Sequence, residues 1–587
     1  MSSSPDLRRR ASVLLVSLLL SLLTGCAVSE HPPTPLPEPA ASPDQAQVAP
    51  PPPPTASEPV LAADAAYAAA PARAESAAKM MQSQSRIGFM PPRPMPMPTV
   101  SAEEREHYAA IQSNPVQRAA ENPVSTFSVD VDTGAYANVR RFLSQGQMPP
   151  RDAVRVEELV NYFDYAYPIP RDRATPFSVM TETAPTPWNP RTHLLQIGVQ
   201  GWKPEGERPA SNLVFLIDVS GSMNSPDKLP LVKSSLKLLT RQLRPQDRLS
   251  LVVYAGASGV ILEPTADDQQ AKINAALDRL EAGGSTNGGA GIELAYAMAR
   301  QGYIKDGVNR VLLATDGDFN VGITDFAQLL DRVKMQRKSG IALTTLGFGT
   351  GNYNEALMEQ LADAGDGNYA YIDTLREAQK VLVLQAEATL TTIARDVKIQ
   401  VEFNPAQVAE YRLIGYENRA LRREDFANDR VDAGDIGAGH RVTALYEIAL
   451  VGEGGERIEA LRYGSTVVPT ATSGELAHLR LRYKRPGDGA DAKSLLIERA
   501  IAAGDASRTI ASASDSFRMA AAVAGFGQLL RGGQYLDAFD YTAVMNLARS
   551  SRGRDDNGEA GEFLQLVQLA RSLDSAALKT PVENHGG

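Results

Sequence analysis

The stretch Leu213-Val-Phe-Leu-Ile-Asp218-Val-Ser220-Gly-Ser222-Met223 reads as a buried strand running straight into an Asp-x-Ser-x-Ser loop. Two further pieces follow it in order. Thr286 lies in the glycine-rich segment Gly283-Gly-Ser-Thr-Asn-Gly-Gly289, ahead of a helical stretch. Asp316 closes a second apolar strand, Val311-Leu-Leu-Ala-Thr-Asp316. In an open parallel sheet, strand ends converge on the crevice where the strand order reverses, and ligands bind there. Asp218, Ser220, Ser222, Thr286 and Asp316 are then a set of hard oxygen donors suited to Mg²⁺, with Mn²⁺ or Ca²⁺ as alternatives, and not to zinc. Gly221 lets the loop fold closely around one ion. A plainer alternative leaves Ser220 and Ser222 as caps of the next helix.

Around this core, strands alternate with helical stretches from about residue 210 to 392, which predicts an α/β unit with a doubly wound, mainly parallel, Rossmann-like sheet. Expected strands are Leu213–Asp218, Leu249–Tyr254, Val260–Glu263, Arg310–Thr315, Ala342–Phe348 and Tyr369–Ile372. Expected helices include Leu229–Leu243, Asn354–Ala364 and a long one over Leu375–Leu390. The three segments together resemble the metal-ion-dependent adhesion site of the von Willebrand factor type A family, with all five of its positions present. That resemblance implies direct metal contacts from Ser220, Ser222 and Thr286, and direct or water-mediated ones from Asp218 and Asp316. Such a metal, incompletely neutralised, would take a last ligand from an Asp or Glu of a protein partner, with the loops Asn224–Lys228 and Phe319–Thr324 supplying specificity.

The chain begins with Arg8-Arg9-Arg10, a short apolar run over Ala11–Leu22 and Leu23-Thr-Gly-Cys26, the layout of an export signal. The apolar run is shorter than the ~20 residues of a membrane span. Leu-Thr-Gly-Cys resembles the lipobox of bacterial lipoproteins, which implies acylation of Cys26 and membrane attachment through the lipid. Ala27, not Asp, follows the cysteine, which points to the outer membrane facing the periplasm. Cys26 is the only cysteine, so no intramolecular disulfide can form. Residues 26–100 are rich in Pro and Ala, with Ala49-Pro-Pro-Pro-Pro-Pro54 and Met90-Pro-Pro-Arg-Pro-Met-Pro-Met-Pro98, and read as a disordered tether.

Residues 101–205 are expected to form an N-terminal α+β domain, with a helix around Ala102–Gln112 and an antiparallel pair joined at Trp188-Asn-Pro-Arg191. Thr126, Ser128, Asp130 and Asp132 alternate with Phe127, Val129 and Val131, so the acidic side is assigned to a solvated strand face and a helix cap. A β-sandwich-like domain is expected over 393–485, from alternating runs such as Val397–Phe403, Val442–Ile448 and His478–Tyr483. From Ser494 the pattern reads as helical, giving a helical region over 486–575 and a tail at 576–587. These flanks resemble the accessory regions of bacterial envelope lipoproteins that carry a type A domain.

The net charge of −10 and the lack of a basic patch argue against nucleic acid. The glycine-rich loop lacks the Lys-Ser/Thr of a phosphate-binding loop, which argues against a nucleotide. No His-Glu-x-x-His or Gly-x-Ser-x-Gly pattern marks a hydrolase, and His440 has no catalytic partner in sequence. The expectation is a non-enzymatic, lipid-anchored envelope protein that binds a protein partner through its cation, in adhesion, scaffolding or envelope assembly. Two alternatives are a periplasmic metal-dependent phosphoesterase and an accessory protein to an AAA-type ATPase system.

Overall fold

The computed structural model describes residues 106–284, 288–317, 326–459, 474–488, 492–505, 509–551, 553 and 555–577. Cys26, the tether, Thr286, the loop Phe319–Thr324 and all of the tail but its first two residues, which end a helix, lie outside them. From Glu106 to Gln112 the chain is not helical. Its polar groups are taken by distant partners instead: Glu106 accepts from the Gly351 N–H at 3.0 Å and the Ile111 N–H donates to Asp152. Two strands follow, β1 (Gln117–Arg118) and β2 (Val124–Ser128), then helices α1 (Gly134–Ser144) and α2 (Val156–Asn161). The expected hairpin is β3 (Phe177–Pro185) and β4 (His193–Gly201), closed by Thr186 N–H on the Thr192 carbonyl at 2.9 Å. Asp130 and Asp132 are buried, contrary to the solvated face read from alternation. Arg419 pairs with both, at 3.2 and 3.7 Å, and Asp132 accepts from the Tyr369 N–H. Alternation reports period and not cover, and here both sides of the segment are covered.

The α/β unit follows as β5 (Ser211–Asp218), α3 (Leu229–Thr240), β6 (Arg248–Tyr254), β7 (Ser258–Ala266), α4 (Gln270–Asp278), α5 (Gly288–Gln301), β8 (Val308–Thr315), α6 (Phe326–Arg337), β9 (Ala342–Phe348), α7 (Glu355–Ala364) and β10 (Tyr369–Ile372). Its sheet runs β10-β9-β8-β5-β6-β7, parallel except for β7. All of β5 is buried. Its side chains alternate between two cores: Leu213, Phe215 and Ile217 pack with α3 and α4, Val214 and Leu216 with α5, α6 and α7. The chain leaves β5 for β6 on one side and returns to β8 on the other, so the strand order reverses beside β5. The long helix expected over Leu375–Leu390 is broken into α8 (Leu375–Gln379), a π-helical turn at Lys380–Leu384 and α9 (Ala386–Leu390). Lys380 leaves that turn to meet the Tyr162 carbonyl at 2.7 Å and Glu559 at 3.0 Å.

After the α/β unit come β11 (Thr392–Phe403), β12 (Val408–Ile414), β13 (Gly434–Gly437), β14 (Arg441–Leu450), β15 (Glu475–Lys484) and β16 (Leu495–Ala502). One antiparallel sheet is β1-β12-β14-β4-β3; in the other, β11 pairs with β15 on one side and with β2 and β13 on the other, and β16 adds to β15. They share one apolar core that includes Phe127, Ile197, Ile399, Tyr446 and Leu479. Strands from 101–205 and from 393–485 therefore lie in common sheets, with the α/β unit inserted between β4 and β11. The stretch β16 corrects the helical reading from Ser494: Ile497 and Ile501 face that core, two strand periods apart. Helices α10 (Asp515–Leu530) and α12 (Glu559–Ala577) then pack on α2 and α1, with α11 (Tyr541–Ser550) against both of them, and Phe563 meets Phe163 and Phe526 edge-on in a core that also holds Phe517 and Leu159.

Candidate metal centre

Asp218 ends β5, and burial pushes its carboxyl pKa above the ordinary value, the nearby Asp316 adding to the rise and hydrogen bonds from Ser220 and Thr315 opposing it. One oxygen, Oδ1, accepts from the Ser220 N–H at 2.8 Å and so shapes the turn that follows. The other, Oδ2, accepts from the Tyr254 hydroxyl at 3.1 Å and Thr315 Oγ1 at 3.0 Å. The carboxylate is thus anchored to the ends of both neighbouring strands, β6 and β8. Met223 is fully buried and pins the loop from below.

Ser220 Oγ and Ser222 Oγ lie 3.0 Å apart. Neither hydroxyl caps a helix: Ser220 precedes the short 3-10 turn Gly221–Asn224 and makes no side-chain cap bond there. Ser220 is buried while Ser222 is exposed, so the pair opens toward solvent. The glycine-rich segment is tied to this loop by Gly283 N–H on the Val219 carbonyl (2.7 Å) and Gly221 N–H on the Gly284 carbonyl (3.0 Å). Thr286 itself lies outside the described residues.

Asp316 directly follows β8 and is fully buried. Its Oδ2 accepts from Lys228 Nζ at 2.9 Å, and the same ammonium reaches Asn352 Oδ1 at 3.1 Å. The structure thus brings Asp218, Ser220, Ser222 and Asp316 to one end of adjacent parallel strands. Four of the groups around them were not singled out from sequence: Tyr254, Thr315, Lys228 and Asn352. Thr315 carried a signal, a hydroxyl beside Asp316 at a strand end; Tyr254 and Asn352 reach the site only through the fold. His440 lies in the turn between β13 and β14, where burial lowers its pKa to about 3 and its Nδ1 accepts from the Gly437 N–H at 3.3 Å.

Residues 212–383 match the von Willebrand factor type A domain, 102–196 a von Willebrand factor family and 388–573 the family described as "Uncharacterized protein YfbK, C-terminal". Over 472 residues the chain is 50% identical to "Uncharacterized protein YfbK" of Escherichia coli (strain K12), covering 79% of this chain and 80% of that one. The chain belongs to the YfbK family. A second relative, "Uncharacterized protein sll0103" of Synechocystis, is 32% identical over 167 residues, 28% of this chain and 39% of its own length. Among solved structures, the conserved hypothetical protein BatB from Bacteroides thetaiotaomicron is 22% identical, with 30% of this chain and 97% of that chain covered and a TM-score of 0.26. In YfbK-family terms, the candidate centre lies wholly within the type A domain, and the antiparallel sheets draw strands from both flanking regions.

Proposed function

We propose that this chain binds a protein partner through a divalent cation held by Asp218, Ser220, Ser222, Thr286 and Asp316, with Mg²⁺ the best match and Mn²⁺ or Ca²⁺ as alternatives. The observation that carries the reading is the convergence of two serine hydroxyls and two carboxylates at the sheet's switch point. Their spacing supports it. An octahedral ion with bonds of about 2.0–2.1 Å sets neighbouring oxygens about 2.9 Å apart. The Ser220–Ser222 separation of 3.0 Å, set by the hydrogen bond between the two hydroxyls, matches that of two adjacent ligands on one such ion. Two carboxylates and neutral hydroxyls leave the ion electron-poor, and a partner's Asp or Glu is the matching ligand. A binding role, and not catalysis, is favoured because Asp218 already accepts from Ser220, Tyr254 and Thr315 and so is poorly placed to take a proton from a substrate. The lipobox at Cys26 supports a lipid-anchored protein of the bacterial envelope, on the periplasmic face of the outer membrane.

Cross-linking pull-downs from envelope fractions, in Mg²⁺ and in EDTA, test the reading. The expected result is a partner retained only with the ion and lost with Ser222→Ala, whose exposed hydroxyl can be removed with under about 0.5 kcal/mol of stability. Partners that are indifferent to EDTA would overturn it, as would phosphoesterase activity that disappears with Asp218→Asn.

A further inference from the structure

The candidate centre contains a charge that the five-residue motif does not count. Lys228 is buried, its Nζ is 2.9 Å from Asp316 Oδ2, and Asn352 Oδ1 holds it from the far side at 3.1 Å. The stem is held as firmly as the head. Gly349 has φ +72°, and a Cβ there would stand 2.2 Å from Lys228 Cγ, so a glycine is what leaves the lysine its passage. The next fixed point is Gly317, just after Asp316, where a Cβ would stand 2.6 Å from the Asn354 N. The β9–α7 loop, Gly349–Asn354, is therefore packed onto the Asp316 end of β8 and positions Asn352 over the ammonium.

We propose that Lys228 is a tethered cation of this centre, a positioning residue that holds Asp316 ready and sets how strongly the site takes a divalent ion. The inference rests on the metal reading above and deepens it. Asp218 and Asp316 bring two negative charges and Lys228 returns one positive charge, so a bound divalent ion leaves the cluster with a net positive charge. Without the lysine the same cluster would be neutral. A fixed ammonium this close repels the ion strongly in a buried setting. The lysine therefore weakens metal binding and leaves the bound metal hungrier for an anionic ligand from outside. In the metal-free protein it keeps the buried Asp316 carboxylate paired, so the site does not collapse or need rebuilding.

The test is calorimetric titration of the full chain with Mg²⁺ and Mn²⁺ alone, comparing wild type, Lys228→Met and Lys228→Gln. Methionine keeps an apolar stem under Gly349 without the charge; glutamine keeps a donor for Asp316 and guards against a methionine variant that fails to fold. Both variants are expected to bind the ions at least about tenfold more tightly than wild type. In EDTA the variants should melt lower than wild type, and the rise in melting temperature on adding Mg²⁺ should be larger than in wild type. Damage to the fold would not tighten binding, so the gain separates this role from a merely structural one. Uptake by the variants with none by wild type supports the inference in its extreme form. Wild-type uptake with affinity unchanged or weakened in both variants overturns the inference and leaves the metal reading standing. No uptake by any of the three proteins overturns both.

Discussion

Asp316 shows how one residue can belong to both a site and a fold. Read from sequence, it closes a strand and faces a crevice, where its loss would leave the fold untouched. In the structure it is fully buried and paired with a lysine whose side chain is only 8% exposed. Breaking a buried pair by deleting one partner leaves the other charge uncompensated, at a cost of about 3 kcal/mol or more. Asp316→Ala should therefore lower the free energy of unfolding in urea by about that amount in addition to abolishing ion uptake. Asp316→Asn, which keeps an acceptor for Lys228, should lose less stability. Equal stability of wild type and Asp316→Ala would show that the pair contributes nothing in solution.

The elements that carry the candidate ligands were the most legible part of the chain. Asp218, Ser220 and Ser222 sit within five residues, and the strand before them is an unbroken apolar run, so local sequence contains both the ligands and the frame that aims them. What sequence did not disclose arrives from elsewhere in the chain. Lys228 closes the same β5–α3 connection but meets Asp316 at the end of β8, Asn352 lies in the β9–α7 loop, and only the parallel register of β5 with β6 and β8 brings Tyr254 and Thr315 to Asp218. Edge and junction elements failed for a related reason. At β16 the sequence Leu495-Leu-Ile-Glu-Arg-Ala-Ile501 is mostly exposed, and only pairing with β15 makes it a strand. The Leu375–Leu390 helix is broken where Lys380 is drawn to Tyr162 and Glu559, contacts that no periodicity encodes. The β9–α7 loop offers a direct test at this scale. Gly349→Ala forces a side chain onto a left-handed backbone and against Lys228, so it should destabilise the protein by about 1–3 kcal/mol. It should also weaken the Lys228–Asp316 contact. An unchanged thermal melt would show that the loop yields more easily than its packing implies.

Across the whole molecule, buried charges tie the inserted α/β unit to its surroundings. Arg140 on α1 reaches Asp373 and Glu377 at the end of the α/β unit (2.8 and 2.7 Å) and Glu562 on α12 (2.9 Å). Arg155 meets Glu359 on α7 at 2.8 Å, with Glu158 and Glu355 at 3.4 and 3.6 Å. Here acids outnumber the arginine, and burial pushes the Glu157 and Glu355 carboxyls up to about 7. The unfolded chain releases these protons near the ordinary value of 4.5, the folded chain only near 7. Their contribution is therefore complete below about pH 4.5 and is lost as the pH rises through 7. Glu355→Gln should flatten the fall in stability between pH 5 and 8 by on the order of 1–3 kcal/mol, at about 1.4 kcal/mol per pKa unit. Parallel urea curves for wild type and variant over that range would refute it. The insertion also has a bearing on how the chain is made. Strand β2 ends at Ser128 and its neighbour β11 begins at Thr392; β4 ends at Gly201 and its neighbour β14 begins at Arg441. As the polypeptide emerges N-terminus first, β1, β2 and the open edge of β4 must wait until more than the whole α/β unit has followed them. The α/β sheet draws every strand from between Ser211 and Ile372 and needs none of those waiting strands, so it can close first. Its closure shortens the effective loop between β4 and β11, and the earliest-made strands find their partners only with the last third of the protein.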